Sequence, residues 1–205
     1  MKQKTIAILD YGMGNIHSAQ NAVSFLGHHS EITDDSEKIA GSDILILPGV
    51  GAFGQGMEEL KKRNLVEPIL NFIDTGKPFI GICLGMQLLF ETSKEHGEFE
   101  GLGVIKGHVK AFEDVIDLKV PHMGWNSIKI KKQSLIFDGI LDESYFYFVH
   151  SFYAEPEDKN VIGAETEYGI DFCSIAIKDN VTAMQFHPEK SQKAGLKLLD
   201  NCLRA

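Results

Sequence analysis

The chain has 205 residues, 43% of them apolar and 24% charged, with a net charge of −9; this fits one globular domain over 1–205 and excludes a disordered chain. The acidic balance argues against a nucleic-acid surface, because phosphates must be met by a basic patch. No apolar run is long enough to span a bilayer, MKQKTIAILDYG lacks a signal-peptide cleavage site, and Cys83, Cys173 and Cys202 show no C-x-x-C spacing, so the expected setting is a reducing cytoplasm.

In chain order, TIAILD (5–10) reads as a strand and NIHSAQNAVSFLG (15–27) as a helix that Gly27 closes. HSEIT and DILILP (43–48) supply further strands, each followed by a glycine-containing turn. GQGMEELKKRNLVEPILNFIDTG (54–76) reads as one helix bent at Pro68, which lacks an N–H. PFIGI (78–82) is a strand, and LGMQLLFETS begins the next helix. Strands separated by helices imply right-handed crossovers and a mostly parallel sheet. The second half differs. VIKGHVKAF, VIDLKV, NSIKIKK, SYFYFVH, NVIGAET, FCSIAIK and VTAMQFH are short strand-like runs joined by turns, and SQKAGLKLLDNCLRA is a closing helix. The expected fold class is α/β: a mostly parallel central sheet flanked by helices, with a mixed or antiparallel extension.

Within FIGICLGMQLLF (79–90), Cys83 stands between Gly81 and Gly85 where a strand passes into a helix. Strand, G-x-C-x-G, helix is the arrangement of a nucleophile elbow, with cysteine in place of serine. The sharp turn lifts the side chain above the sheet edge, and the glycines remove Cβ atoms that would clash. A helix starting at Leu84 aims unpaired N–H groups at the sulfur and favours the thiolate. A buried core cysteine is the plainer reading, and it is the one adopted for Cys173 and Cys202, which fall in a strand pattern and an apolar helix stripe.

A thiolate nucleophile needs a base and a group that orients the base. In His187-Pro188-Glu189, residues two apart in an extended segment face the same side, so Glu189 can reach the His187 ring. Spacing alone leaves a second reading open, a proline turn that happens to carry a histidine and a glutamate. DYGMGN (10–15) invites a nucleotide-binding reading, but it has only G-x-G and no acidic ribose partner, so it reads as a tight strand-to-helix turn. No cofactor and no metal are implied, since the eight histidines show no ligand spacing.

GICLGMQ and MQFHPEKS together resemble the class I, or triad, glutamine amidotransferases. PGVGAFG (48–54), PHMGWN (121–126) and FVHSF (148–152) are similar to the HisH glutaminase subunits of imidazole glycerol phosphate synthase. The likeness runs from DYGMGNIHS to the last helix. It implies that Cys83 attacks the side-chain amide of L-glutamine, that His187 serves as acid and base, and that Glu189 orients it. It implies an oxyanion hole from the Leu84 amide and the Gly49-Val50-Gly51 loop, with the Val50 amide correctly aimed only in an activated state. It maps substrate contacts onto Gly49, Gln87, Glu95, His150, Ser151 and Phe152. The family usually has tyrosine at the last of these, so a hydroxyl contact is missing here. It also implies a heterodimer with the cyclase subunit HisF, docked through Asn15, Met123, Trp125 and Asn126, although a lone tryptophan is otherwise more often core. Ammonia would pass through that contact for a step of histidine biosynthesis that also yields AICAR.

Two other functions compete. The first is a cysteine hydrolase or glutaminase serving another synthase, against which PHMGWN argues. The second is a silent binding role, against which the presence of Cys83, His187 and Glu189 together argues.

Overall fold

The computed structural model describes residues 4–205. Its first half runs β1 (Ile6–Leu9), α1 (Ile16–Phe25), β2 (Ser30–Thr33), α2 (Ser36–Gly41), β3 (Ile44–Gly49), α3 (Phe53–Lys62), α4 (Val66–Asp74), β4 (Phe79–Cys83) and α5 (Leu84–Gln87). Asn15 caps α1, its Oδ1 accepting from the Ser18 amide at 3.2 Å, and Gly27 beyond the helix lies at φ +82°. The single helix expected over 54–76 is two. The chain breaks at Asn64, which adopts φ +56°, a conformation asparagine tolerates and a helix does not. Pro68 makes no bend. It sits in the first turn of α4, where a missing N–H leaves no helical bond unmade. The short α2 has no counterpart among the expected elements because six residues carry little periodicity; Asp35 nucleates it by accepting from the Glu37 and Lys38 amides.

The second half runs β5 (Phe90–Ser93), β6 (Phe99–Glu100), β7 (Ile105–Ala111), β8 (His122–Ser127), β9 (Lys129–Ile130), β10 (Tyr145–His150), β11 (Phe152–Pro156), β12 (Ile162–Glu167), β13 (Asp171–Lys178), β14 (Val181–Met184) and α6 (Gln192–Arg204). Two expectations are corrected here. The helix after Cys83 ends at Gln87, because the Leu88 and Leu89 carbonyls accept from the Leu102 and Ile105 amides and draw the chain into β5. VIDLKV (115–120) is not a strand: the Val115 and Ile116 amides bond back to the Phe112 carbonyl in a turn.

The main sheet has the order β2-β1-β3-β4-β14-β13-β11-β7-β5-β6. From β2 to β14 every pairing is parallel, whereas β13, β11 and β7 continue antiparallel. β8 and β10 form a separate antiparallel pair. Strand alternation divides the core between the two faces. Ala7, Leu9, Leu45 and Leu47 pack with Ile39, Phe53, Leu60 and Phe72 from α2, α3 and α4. Ile6, Ile8, Ile44 and Ile46 pack with Val23 of α1 and Leu198, Leu199 and Leu203 of α6. The parallel ladder brings the carboxyl ends of β1, β3, β4 and β14 side by side, with Gly49 opposite Cys83 and Ile82 opposite Met184. Ligands of open parallel sheets bind at such an edge.

Candidate active site

Cys83 is the last residue of β4 and the residue from which α5 springs. Its backbone lies at φ +55°, ψ −112°, a conformation that strains any residue with a Cβ and that a surrounding fold must enforce. The flanking glycines make it possible. A Cβ on Gly85 would collide with the Leu47 carbonyl oxygen, and one on Gly81 would lie 2.9 Å from the Gly85 carbonyl oxygen. The helix is only four residues long, so its dipole is small, but the Leu84 amide belongs to the first turn and has no helical acceptor. The sulfur is nearly enclosed: Cys83 is 7% exposed. Burial pushes the Cys202 thiol up to about 12 and that of Cys173 still higher, which keeps both protonated and inert.

Beyond β14 the chain delivers Gln185 and His187 to the same edge. The His187 Nδ1 meets the Glu189 Oε1 at 2.8 Å, with both side chains almost fully buried. The contact foreseen from the two-residue spacing is present, but its backbone is not extended. Pro188 starts a 3-10 turn through Lys190, its fixed φ suiting the first helical position. Because a carboxylate accepts, Nδ1 carries a proton, and Nε2 is left without a hydrogen-bond partner among the described residues. Burial pulls the imidazole pKa down, but the Cys83 sulfur and the Glu189 carboxylate outweigh it and raise the pKa to about 10. The balance favours an imidazolium at His187, placed beside the Cys83 sulfur, where a general acid for a cysteine nucleophile must stand.

Three of the residues expected to grip substrate, Gln87, His150 and Phe152, form one hydrogen-bonded chain. Gln87 Nε2 donates to the Phe152 carbonyl at 3.1 Å and to the Gln185 Oε1 at 3.0 Å, while Gln185 Nε2 reaches the Cys83 sulfur at 3.9 Å. His150 Nδ1 donates to the same Phe152 carbonyl at 2.7 Å, so its Nε2 must accept. That acceptor is filled by His122 Nδ1 at 2.9 Å, and His122 Nε2 in turn accepts from the Asn126 amide at 3.2 Å. A carbonyl can only accept, so every proton along this chain has one position. Ser151 lies between His150 and Phe152 and lends its carbonyl to the Phe112 amide. Glu95 is brought to the same side of the molecule, but its Oε2 accepts from the Phe53 amide at 2.6 Å and caps α3. Gln185 and His122 escape a reading of the sequence. Each is a buried polar residue, His122 on β8 and Gln185 just past β14, within an otherwise strand-like run, the one signal that could have marked them.

Trp125 is not core. It is 46% exposed and Met123 is 62% exposed, both on the outer face of β8. Asn126, expected beside them, lies on the opposite face by strand alternation. Its amide is committed to His122 and to the Glu167 carbonyl. Trp125 pairs with Tyr147 across the strands, and the Tyr147 carbonyl accepts from the His187 amide at 3.0 Å. Asn15 is exposed at the start of α1.

The two relay histidines make the fold sensitive to acid. Burial lowers His122 to about 4; for His150 burial, outweighing its bond to the Phe152 carbonyl, brings the value to about 3. Both are neutral when folded, whereas in the unfolded chain each takes a proton near 6.5. Acidification below that value therefore favours unfolding. From pH 7 to pH 5 His150 alone is expected to cost roughly 2 kcal/mol, with His122 adding in the same direction. His187 acts oppositely: its contribution is full below pH 6.5 and is lost as pH rises toward 10. Urea midpoints at the two pH values measure the balance, and an unchanged or higher midpoint at pH 5 contradicts it.

Among the described residues no group of three or more histidine, cysteine, aspartate or glutamate side chains is arranged to hold a metal, and no helix is long and apolar enough to cross a membrane. A family model described as glutamine amidotransferase class-I matches residues 7–205. The imidazole glycerol phosphate synthase subunit HisH of Geobacter metallireducens is 50% identical over 202 residues, covering 96% of either chain. The protein of the same description from Methanocaldococcus jannaschii is 52% identical over 196 residues, covering 96% of this chain and 97% of its own. Among solved structures, PurLQS from Thermotoga maritima superposes with a TM-score of 0.77 at 16% identity over 98% of either chain. A glutamine amidotransferase from Thermotoga maritima gives 0.71 at 12% identity over 100% of this chain and 98% of its own.

Proposed function

The chain belongs to the glutamine amidotransferase class-I family, and on that premise we propose that it is the glutaminase subunit of an imidazole glycerol phosphate synthase. It hydrolyses L-glutamine to glutamate and hands ammonia to the cyclase subunit HisF in histidine biosynthesis. The observation that carries the chemistry is Cys83, held at φ +55° beside a histidine whose Nδ1 is fixed by Glu189 and whose imidazole feels the Cys83 sulfur.

The Cys83 sulfur attacks the amide carbon of the glutamine side chain, and the carbonyl oxygen gathers negative charge. The Leu84 amide and an amide of the Val50-Gly51 loop stabilise that oxyanion. The imidazolium of His187 gives its Nε2 proton to the departing nitrogen, so ammonia leaves and a glutamyl thioester remains. Water then attacks the thioester; His187 takes its proton, the carbon–sulfur bond breaks, and glutamate and the thiolate are restored. Gln87, His150 and the Phe152 backbone shape the substrate pocket, the last without the hydroxyl a tyrosine would bring.

Ammonia protonated in water is no longer a nucleophile, so its use requires a closed passage to the partner. The exposed Met123 and Trp125 offer an apolar docking face, joined to the His187 backbone through Tyr147. Gly51, at φ +106°, gives the oxyanion loop freedom to change when that face is covered. The working state of the loop is the partner-bound one.

The test is glutamate release from glutamine by the purified chain, alone and with the cyclase and its nucleotide substrate. Low release alone and a large rise in the complex are expected. Equal release in both removes the partner-gated loop while keeping the enzyme, and no release in either returns the chain to a silent binding role.

A further inference from the structure

The turn after β1, DYGMGN, has no part in the chemistry above, yet it packs against the oxyanion loop at two points. A Cβ on Gly14 would lie 3.1 Å from the Gly49 Cα, and a Cβ on Gly49 would collide with the Tyr11 hydroxyl. The same Cβ would lie 2.9 Å from the Leu84 Cβ and 3.2 Å from the Gly85 amide nitrogen. Gly49 is thus clasped between the β1 turn and the nucleophile elbow.

Tyr11 is fully buried, and its hydroxyl has no hydrogen-bond partner among the described residues. A buried hydroxyl without a partner has lost its water and gained nothing in return, so it calls for an explanation. Burial, with the nearby Cys83 adding to it, pushes the phenol pKa up, so the group stays a protonated donor. It faces the Gly49-Val50-Gly51 loop, in which, on the partner-gated reading above, a peptide rotates before its amide meets the oxyanion. When the Gly49–Val50 peptide turns its N–H toward the substrate, its carbonyl swings the other way and needs a donor there.

We propose that Tyr11 is a positioning residue for the oxyanion hole: its hydroxyl, idle in this loop arrangement, receives the Gly49 carbonyl after rotation and holds the Val50 amide on the oxyanion. This inference rests on the glutaminase reading and adds to it a residue that touches neither glutamine nor the reacting atoms. The resting state bears the cost of the idle hydroxyl, and the active state uses it.

Tyr11→Phe removes the hydroxyl and little else, which makes the effects on stability and activity opposite in sign. In the complex with the cyclase and its nucleotide substrate, kcat for glutamate release is expected to fall about three- to tenfold, the worth of one hydrogen bond, with KM for glutamine unchanged. Synthesis driven by added ammonium salt stays at the wild-type rate, and the variant chain alone resists urea as well as or better than wild type. An unchanged kcat overturns the proposal, as does a loss of stability that parallels the loss of activity, because the hydroxyl would then be structural. Absence of glutamate release from the wild-type complex overturns the glutaminase reading itself and this inference with it.

Discussion

Replacing Cys83 with alanine is expected to lower glutamine-dependent synthesis by the complex about 10³-fold or more, while synthesis from added ammonium salt continues at the wild-type rate. Alanine keeps a Cβ, so the strained backbone at φ +55° and the contacts of the elbow with Leu47 persist. What disappears is the sulfur, and with it the thioester and one of the two partners that raise the His187 pKa. The paired measurement separates chemistry from assembly. Loss of both activities would mean that the elbow is needed to hold the complex together, and survival of the glutamine-dependent rate would remove Cys83 as nucleophile.

Gly85→Ala is expected to destabilise the chain by about 3 kcal/mol, measured as a fall in the urea midpoint. At an ordinary helical glycine the same change stabilises by up to ~1 kcal/mol, because alanine loses less backbone entropy. Here the sign reverses. The added Cβ falls on the Leu47 carbonyl oxygen, a backbone atom of a central strand that cannot turn aside as a side chain would. Either β3 or α5 must retreat, and both border Cys83: β3 leads into the Gly49-Val50-Gly51 loop, and α5 presents the Leu84 amide. Unaltered stability would show that the elbow is not limited by its distance from β3.

Local signals make the centre of the site readable in the amino-acid sequence. Two glycines astride a cysteine at the end of an apolar strand leave few backbone solutions, and Cys83 adopts the strained one. The two-residue spacing of His187 and Glu189 is sufficient to bring their side chains together, even though a 3-10 turn rather than a strand does it. Where local signals mislead, the deciding contact comes from farther along the chain. Residues 90–93 look helical locally, and they become a strand because Leu102 and Ile105 claim the neighbouring carbonyls. The break in the long helix over 54–76 is local by contrast: left-handed Asn64 closes α3, its amide and that of Leu65 returning to the Lys61 and Leu60 carbonyls.

Four features follow from the order of residues with no knowledge of what they pack against: the alternation of short apolar strands and helices, the single-domain size, the elbow at Cys83 and the His187-Pro188-Glu189 pairing. The motifs among them depend on residues within a few positions of one another, whose steric limits act before the chain is folded. Other features exist only once distant segments meet: Trp125 lies on the surface, Asn126 turns inward to His122, Glu95 caps α3, and the Tyr11 hydroxyl stands against Gly49 without a partner among the described residues. Those outcomes depend on which strands become neighbours at one edge of the sheet. The order β1-β3-β4-β14 brings together side chains from both ends of the chain. Burial then sets which of them are charged, because removing water penalises an isolated charge and spares a paired one.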